Sequence, residues 1–310
     1  MLLLALFAAA CGPTASPSPS ASPATSAGAA SPSPSAAAQA SPSAAQSPVD
    51  GQFLGDIELP DGRHLHMACA GSGSPTVILD AGYGSTTNDW GRVFADAAEL
   101  THVCAYDRAG VGVSSEPDGL NTTGGIVADL RELVATAGIP TPYVLVGHSI
   151  AGLHMRLIGG DPRGEIAAML FVDTSVPGQP EAFLATLPPA SSDDPEWLVE
   201  ARAALAAGWP TADHGEPYDV PADLPLVEAV TSFGALPITV LTAGIQTIAP
   251  AGDPLGDELQ AVWFDLHETL ASMSTNARHD LVPGVDHFIQ NGRPDVVVEA
   301  IRELIDRAGG

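Results

Sequence analysis

The sequence predicts an α/β fold: a mostly parallel, doubly covered sheet with a helical cap inserted late in the chain. Three observations lead there. From Thr76 onward, short apolar runs alternate with helical segments. The runs carry no polar alternation (Val144-Leu-Val146 is one), so each strand is buried on both faces, as in a parallel sheet between helix layers. Gly-rich loops follow several runs, at the strand ends where such sheets carry their chemistry.

In order, residues 52–59 and 64–70 read as two strands joined by Pro60-Asp61-Gly62. Residues 76–79 form a short strand running into Asp80-Ala-Gly-Tyr-Gly84. Residues 88–100 have helical spacing through Trp90, Val93, Phe94 and Ala97. Residues 103–106 form a strand ending in Asp107-Arg-Ala-Gly-Val-Gly112. A helix over 122–138 starts at Thr122 or Thr123 and ends at Gly138. Residues 143–146 are the next strand, 150–158 the next helix, and 167–172 a strand ending at Asp173.

Residues 174–236 break this rhythm. They are rich in Pro and hold helical pieces such as 196–207, which predicts a helical cap over the site. The sheet resumes at 238–243. Residues 257–273 form an amphipathic helix, 278–283 a last strand, and 294–308 a closing helix. Trp90, Trp197, Trp263 and Phe288 read as core or pocket wall.

The tightest corner is Gly147-His-Ser149, between the 143–146 strand and the 150–158 helix. Strand, sharp turn and helix with a Ser at the apex is a nucleophile elbow. The turn lifts the Ser149 hydroxyl clear of the sheet and aims the first helical N–H groups at a developing oxyanion. The pattern departs from G-x-S-x-G in one place, with Ala151 at the last position and Gly152 after it.

Acidic residues outnumber basic ones 37 to 11, for a net charge of −26, and the chain has no Lys. Such a surface repels nucleic acid and anionic membranes. Residues 1–11 read as an export signal, an apolar run too short to span a bilayer. Ala8-Ala-Ala-Cys11 resembles a bacterial lipoprotein cleavage box, with Cys11 the lipidated residue. Residues 12–50 are nearly all Ala, Ser and Pro and read as a disordered tether. Together these predict export to the cell surface or periplasm, with membrane contact only through a lipid on Cys11. No Cys/His cluster has metal-ligand spacing, and no G-x-G-x-x-G opens a helix after a strand. No metal and no cofactor are expected. Composition leaves the oligomeric state open.

Four motifs now stand in order: Asp80-Ala-Gly-Tyr-Gly84, Tyr106-Asp-Arg-Ala-Gly-Val-Gly112, the Ser149 elbow, and Asp286-His287 after the last strand. On these, residues 51–310 resemble the α/β-hydrolase family. The resemblance implies a serine hydrolase that cleaves small-molecule carboxylic esters through an acyl-enzyme. Ser149 is the nucleophile and His287 the base. The family's acid usually follows the seventh strand, where only Asp253 and Asp257 are near. In a minority of families it follows the sixth, where Asp173 stands. Asp173 is the first choice and Asp253 the alternative. Oxyanion donors are expected at the Ile150 and Tyr83 N–H groups. The Asp107-Arg108 pair is expected to order loops around the site, and His148 to pack or line the pocket. The family's strand order places Cys69 beside Cys104, so a disulfide between them is expected, with two buried thiols the alternative.

Two other functions stay open. An aminopeptidase-like amide hydrolase would need acids for a substrate amine, and Asp193, Asp194 and Glu196 lie in the insertion. A catalytically inactive surface-binding module would keep the fold without a working triad.

Overall fold

The computed structural model describes residues 51–161, 163–209 and 216–308. The expected signal, Cys11 and tether lie outside these residues. Eight strands form one sheet in the order β1-β2-β4-β3-β5-β6-β7-β8. They are β1 (Phe53–Glu58), β2 (His64–Ala70), β3 (Thr76–Asp80), β4 (Val103–Tyr106), β5 (Tyr143–His148), β6 (Ile166–Val172), β7 (Ile238–Ala243) and β8 (Ala277–Val282). β1 and β2 pair antiparallel, as do β2 and β4, and every other pairing is parallel. The strand expected at 278–283 thus begins and ends one residue earlier.

Helices cover both faces, as the unalternated strands require. α1 (Gly91–Ala97) and α9 (Pro294–Ala308) close one face around Val77, Val144, Leu170 and Ile301. α2 (Thr123–Thr136), α3 (Ala151–Gly159) and α7 (Pro254–Ala271) close the other around Ile78, Leu145, Phe171 and Leu259. The helix expected over 88–100 is shorter. A 3₁₀ turn spans Thr87–Trp90, and the backbone at Gly91 has φ of 21°, so the α-helix starts only there.

The insertion supplies α4 (Gln179–Thr186), α5 (Glu196–Ala207) and α6 (Val220–Ala229). Its helices do not float over the sheet. Tyr218, Val220 and Val227 pack with Tyr83, Ile126, Ile150 and Leu153 in a separate buried cluster. After β8 come a short turn of helix, α8 (Ile289–Gly292), and α9. Among the described residues no helix is long and apolar enough to cross a membrane.

Cys69 and Cys104 face each other across the β2–β4 ladder with Cα atoms 4.1 Å apart, and they form a disulfide. They lie close to His102, the one grouping of metal-ligand type among the described residues. With the two sulfurs joined, their thiolates are not available to a metal.

Candidate active site

The loops after β5, β6 and β8 bring three side chains together. Ser149 follows β5, Asp173 follows β6, and His287 follows β8 by five residues. Ser149 has φ of 55° and Asp173 has φ of 47°, the two non-glycine residues with positive φ among the described residues. A left-handed backbone at residues other than Gly is strained, and such strain concentrates at functional sites. Neighbouring hydrogen bonds hold it in place. The Ser149 N–H donates to the Val172 carbonyl at 3.3 Å, and the Ser175 N–H donates to the Ser149 carbonyl at 2.8 Å.

The departure from the elbow motif has a packing reason. A Cβ on Gly147 would lie 2.3 Å from the Met155 sulfur. One on Gly152 would lie 2.5 Å from the Ser175 carbonyl oxygen and 2.6 Å from Thr174 Cβ. Position 151 tolerates a methyl group, whereas position 152 is where α3 presses on the backbone after β6.

The three side chains form a continuous hydrogen-bonded chain. His287 Nε2 lies 2.9 Å from Ser149 Oγ, and His287 Nδ1 lies 2.7 Å from Asp173 Oδ2. The other carboxylate oxygen, Oδ1, accepts from the Ala243 N–H and from the Trp263 indole N–H, each at 2.8 Å. Ser149 and Asp173 are buried, while the His287 side chain keeps some solvent contact. Burial pushes the Asp173 carboxyl up, but the His287 hydrogen bond and charge outweigh it and hold the group below the usual carboxylate value.

Asp253 takes no part in this chain. Its Oδ1 accepts from the Leu255 N–H at 3.0 Å, with Pro254 at the first position of α7. An Asp followed by Pro at a helix start is an N-cap. That cap also begins α7 three residues before the expected position.

Ile150 follows Ser149 at the N-cap of α3, and Tyr83, in the loop after β3, packs in the same buried cluster. Neither N–H meets a backbone acceptor among the described residues. Gly82 touches the elbow directly: a Cβ there would lie 2.9 Å from His148 Nδ1 and 3.4 Å from Ser149 Cβ. His148 is buried and its Nε2 donates to the His287 carbonyl at 3.0 Å. Burial, with repulsion from His287, pushes its pKa down to about 3, so it is a neutral support.

A narrow pocket opens beside the chain of groups, with about 430 Å³ of space that includes its open mouth. Phe183, Ile245, Ile248 and Trp263 give it apolar walls, Gln179 and Gln246 add amides, and Asp173 and His287 lie at one end. Asp193, Asp194 and Glu196 do not line it. Asp194 is engaged by Arg202 at 2.9 Å.

The alpha/beta hydrolase family profile matches residues 77–300. The chain belongs to the alpha/beta hydrolase family. Its relatives include the uncharacterised protein YqjL of Bacillus subtilis, 25% identical over 236 residues that make up 76% of this chain and 85% of that protein. Among solved structures, a thermophilic esterase from Thermogutta terrifontis superposes with a TM-score of 0.56 at 20% identity, covering 83% of this chain and 99% of that one. The haloalkane dehalogenase DatA from Agrobacterium tumefaciens gives a TM-score of 0.56 at 16% identity, covering 84% and 98%. An esterase and a dehalogenase on one fold leave the reaction to be argued from the site.

Two contributors to this hydrolase site escaped the sequence. Trp263 read as pocket wall, because an indole N–H has no sequence signal for its acceptor. Glu216, whose carboxylate accepts from Arg108 Nε at 2.7 Å and Nη2 at 2.8 Å, gave no signal, since it belongs to no periodic segment of the sequence.

Proposed function

We propose that this protein is a serine esterase acting through an acyl-enzyme. Ser149 attacks the ester carbonyl, His287 takes the hydroxyl proton and returns it to the leaving alcohol, and Asp173 holds the imidazole in the accepting tautomer. The Tyr83 and Ile150 N–H groups receive the oxyanion. Water, activated by the same imidazole, then releases the acid. The observation that carries this reading is the unbroken Ser149–His287–Asp173 hydrogen-bond chain on a strained elbow.

The nucleophile argues against the dehalogenase chemistry of the structural neighbour. A serine hydroxyl that displaced a halide would become an alkyl ether, which water does not cleave, and the enzyme would stop after one turnover. A serine ester hydrolyses. The largely apolar lining beside Asp173 and His287 offers no other acid to hold a substrate amine, which speaks for esters over N-terminal amides.

The test is labelling with a fluorophosphonate together with p-nitrophenyl acetate turnover. Wild type is expected to react in both and Ser149→Ala in neither. Equal hydrolysis by the two proteins would remove the assignment, and an unlabelled wild type would favour the binding module. Export and a lipid on Cys11 complete the proposal. The Cys69–Cys104 disulfide supports an oxidising compartment. Loss of membrane fractionation in Cys11→Ala is the expected result, and equal fractionation of both proteins would exclude the anchor.

A further inference from the structure

We propose that Glu216, a residue of the inserted cap segment, is a positioning residue that holds the oxyanion loop, residues 80–84, in its working geometry; this rests on the acyl-transfer reading of the Ser149 site.

Glu216 is fully buried. Its Oε1 accepts from Arg108 Nε at 2.7 Å, and its Oε2 accepts from Arg108 Nη2 and from the Gly84 N–H, each at 2.8 Å. Its backbone carbonyl accepts from the Tyr83 hydroxyl at 2.9 Å. One cap residue thus grips the loop at two consecutive residues.

Arg108 completes the grip from below. Nη1 donates to Asp80 Oδ1 at 2.9 Å and to the Ala81 carbonyl at 2.7 Å, while Nη2 also donates to the Gly82 carbonyl at 2.7 Å. Every guanidinium N–H then has an acceptor. The Gly82–Tyr83 peptide is trans and planar. Aiming its carbonyl at Arg108 therefore aims the Tyr83 N–H the opposite way. Arg108 shares that carbonyl with the Ser85 N–H, at 3.1 Å, so the donor is set by the turn and the Arg108 clamp together, and Arg108 is itself held by Glu216.

The stretch after Glu216 is fastened to the main domain. The Pro217 carbonyl accepts from the Asn121 N–H at 2.6 Å, the Asp219 N–H donates to the Asn121 carbonyl at 2.8 Å, and the Tyr218 and Thr123 hydroxyls lie 2.7 Å apart. The cap segment therefore does more than roof the pocket. Seating it assembles one half of the oxyanion site. Glu216 does not itself meet substrate, because it is fully buried with its carboxylate against Arg108 and Gly84.

Glu216→Gln keeps the shape but has a single acceptor oxygen. With that oxygen at the Oε2 position it keeps Arg108 Nη2 and the Gly84 N–H but turns its NH₂ against Arg108 Nε; with it at the Oε1 position it keeps Nε and turns the NH₂ against both of the others, so in either orientation the clamp on Arg108 is broken. With p-nitrophenyl acetate, kcat is expected to fall roughly 10- to 100-fold, the range for a displaced oxyanion donor. KM should stay within about threefold, since ground-state binding uses the pocket walls. Fluorophosphonate labelling of Ser149 should slow in parallel while near-UV circular dichroism is unchanged. A folded variant with kcat and labelling within about twofold of wild type, or with its whole loss in KM, overturns the proposal. If Glu216→Gln does not fold, Tyr83→Phe removes only the hydroxyl bond to the Glu216 carbonyl. It should lower kcat by about threefold, the scale of one neutral hydrogen bond, and an unchanged kcat overturns the proposal. A wild type that resists labelling removes the acyl-transfer reading and this inference with it. A labelled wild type matched by the variant removes this inference alone.

Discussion

The indole N–H of Trp263 donates to Oδ1 of Asp173 at 2.8 Å, on the carboxylate oxygen that His287 leaves free. The Ala243 N–H shares that oxygen at 2.8 Å. With two donors on Oδ1 the carboxylate cannot turn, so Oδ2 stays aimed at the imidazole. The acid is oriented by the end of β7 and by a ring on α7, which also packs on His267 with centroids 4.1 Å apart.

Trp263→Phe keeps the ring in the pocket wall and removes only the donor. A hydrogen bond to a charged group contributes about 1.5–3 kcal/mol. The variant should lose about 1–2 kcal/mol of stability in urea, since Ala243 still serves Oδ1, and about tenfold in kcat. A kcat within twofold of wild type would show that the Ala243 N–H alone suffices.

Asp173→Asn makes a sharper test, because the same two donors dictate how the amide sits. Its oxygen must face Trp263 and Ala243, so its NH₂ faces His287 Nδ1. The imidazole must then accept at Nδ1 and carry its hydrogen on Nε2, where it cannot take the Ser149 proton. The expected loss is on the order of 10⁴ in kcat. Asp253→Asn should stay near wild type, since Asn caps a helix as well as Asp does. The reverse outcome would move the acid to Asp253.

The sheet, the elbow and the disulfide partners were legible because each leaves a local mark: apolar runs, a Gly-Ser corner, and cysteines on strands the family places side by side. Asp173 was legible as a strand-end residue and the first choice over Asp253, and what the sequence did not show is that its carboxylate meets His287 while that of Asp253 caps α7. Both are acids in loops beside the sheet, and only the pairing of Asp253 with Pro254 marks it as a cap. Glu216 and the Trp263 donor were not legible for a different reason. Their partners lie 108 and 90 residues away, and no periodicity connects an irregular cap residue to a buried guanidinium.

Stability should fall as pH drops below about 6.5, the usual value for an exposed His. His267 is fully buried, with Nε2 2.8 Å from the Thr174 carbonyl and Nδ1 2.6 Å from the Thr242 hydroxyl. Burial pushes its pKa down to about 4, and that of His148 down to about 3. Between those values and 6.5 the unfolded chain binds protons that the folded chain refuses, so the loss grows downward through that window. Above it neither residue contributes to pH dependence. Asp80 and Asp173, both held below the usual carboxylate value, add loss only further down in pH. At pH 5 each histidine should cost up to about 2 kcal/mol. Urea unfolding at pH 7.5 and 5.0 checks this, and equal free energies at the two pH values would contradict it.

Removing the Cys69–Cys104 bond should cost stability and spare activity. The bond closes a separation of 35 residues, for which chain entropy gives roughly 3–4 kcal/mol. The β2–β4 ladder aligns the same two residues without it, so the native geometry does not depend on the link. Neither strand carries a residue of the Ser149 chain. The Cys69→Ala, Cys104→Ala double variant should therefore unfold at lower urea with kcat near wild type at 25 °C. Both sulfurs are buried, so reductant alone should act slowly on the folded protein and quickly in denaturant. Rapid reduction in native buffer would mean that β1 and β2 open readily from the edge of the sheet.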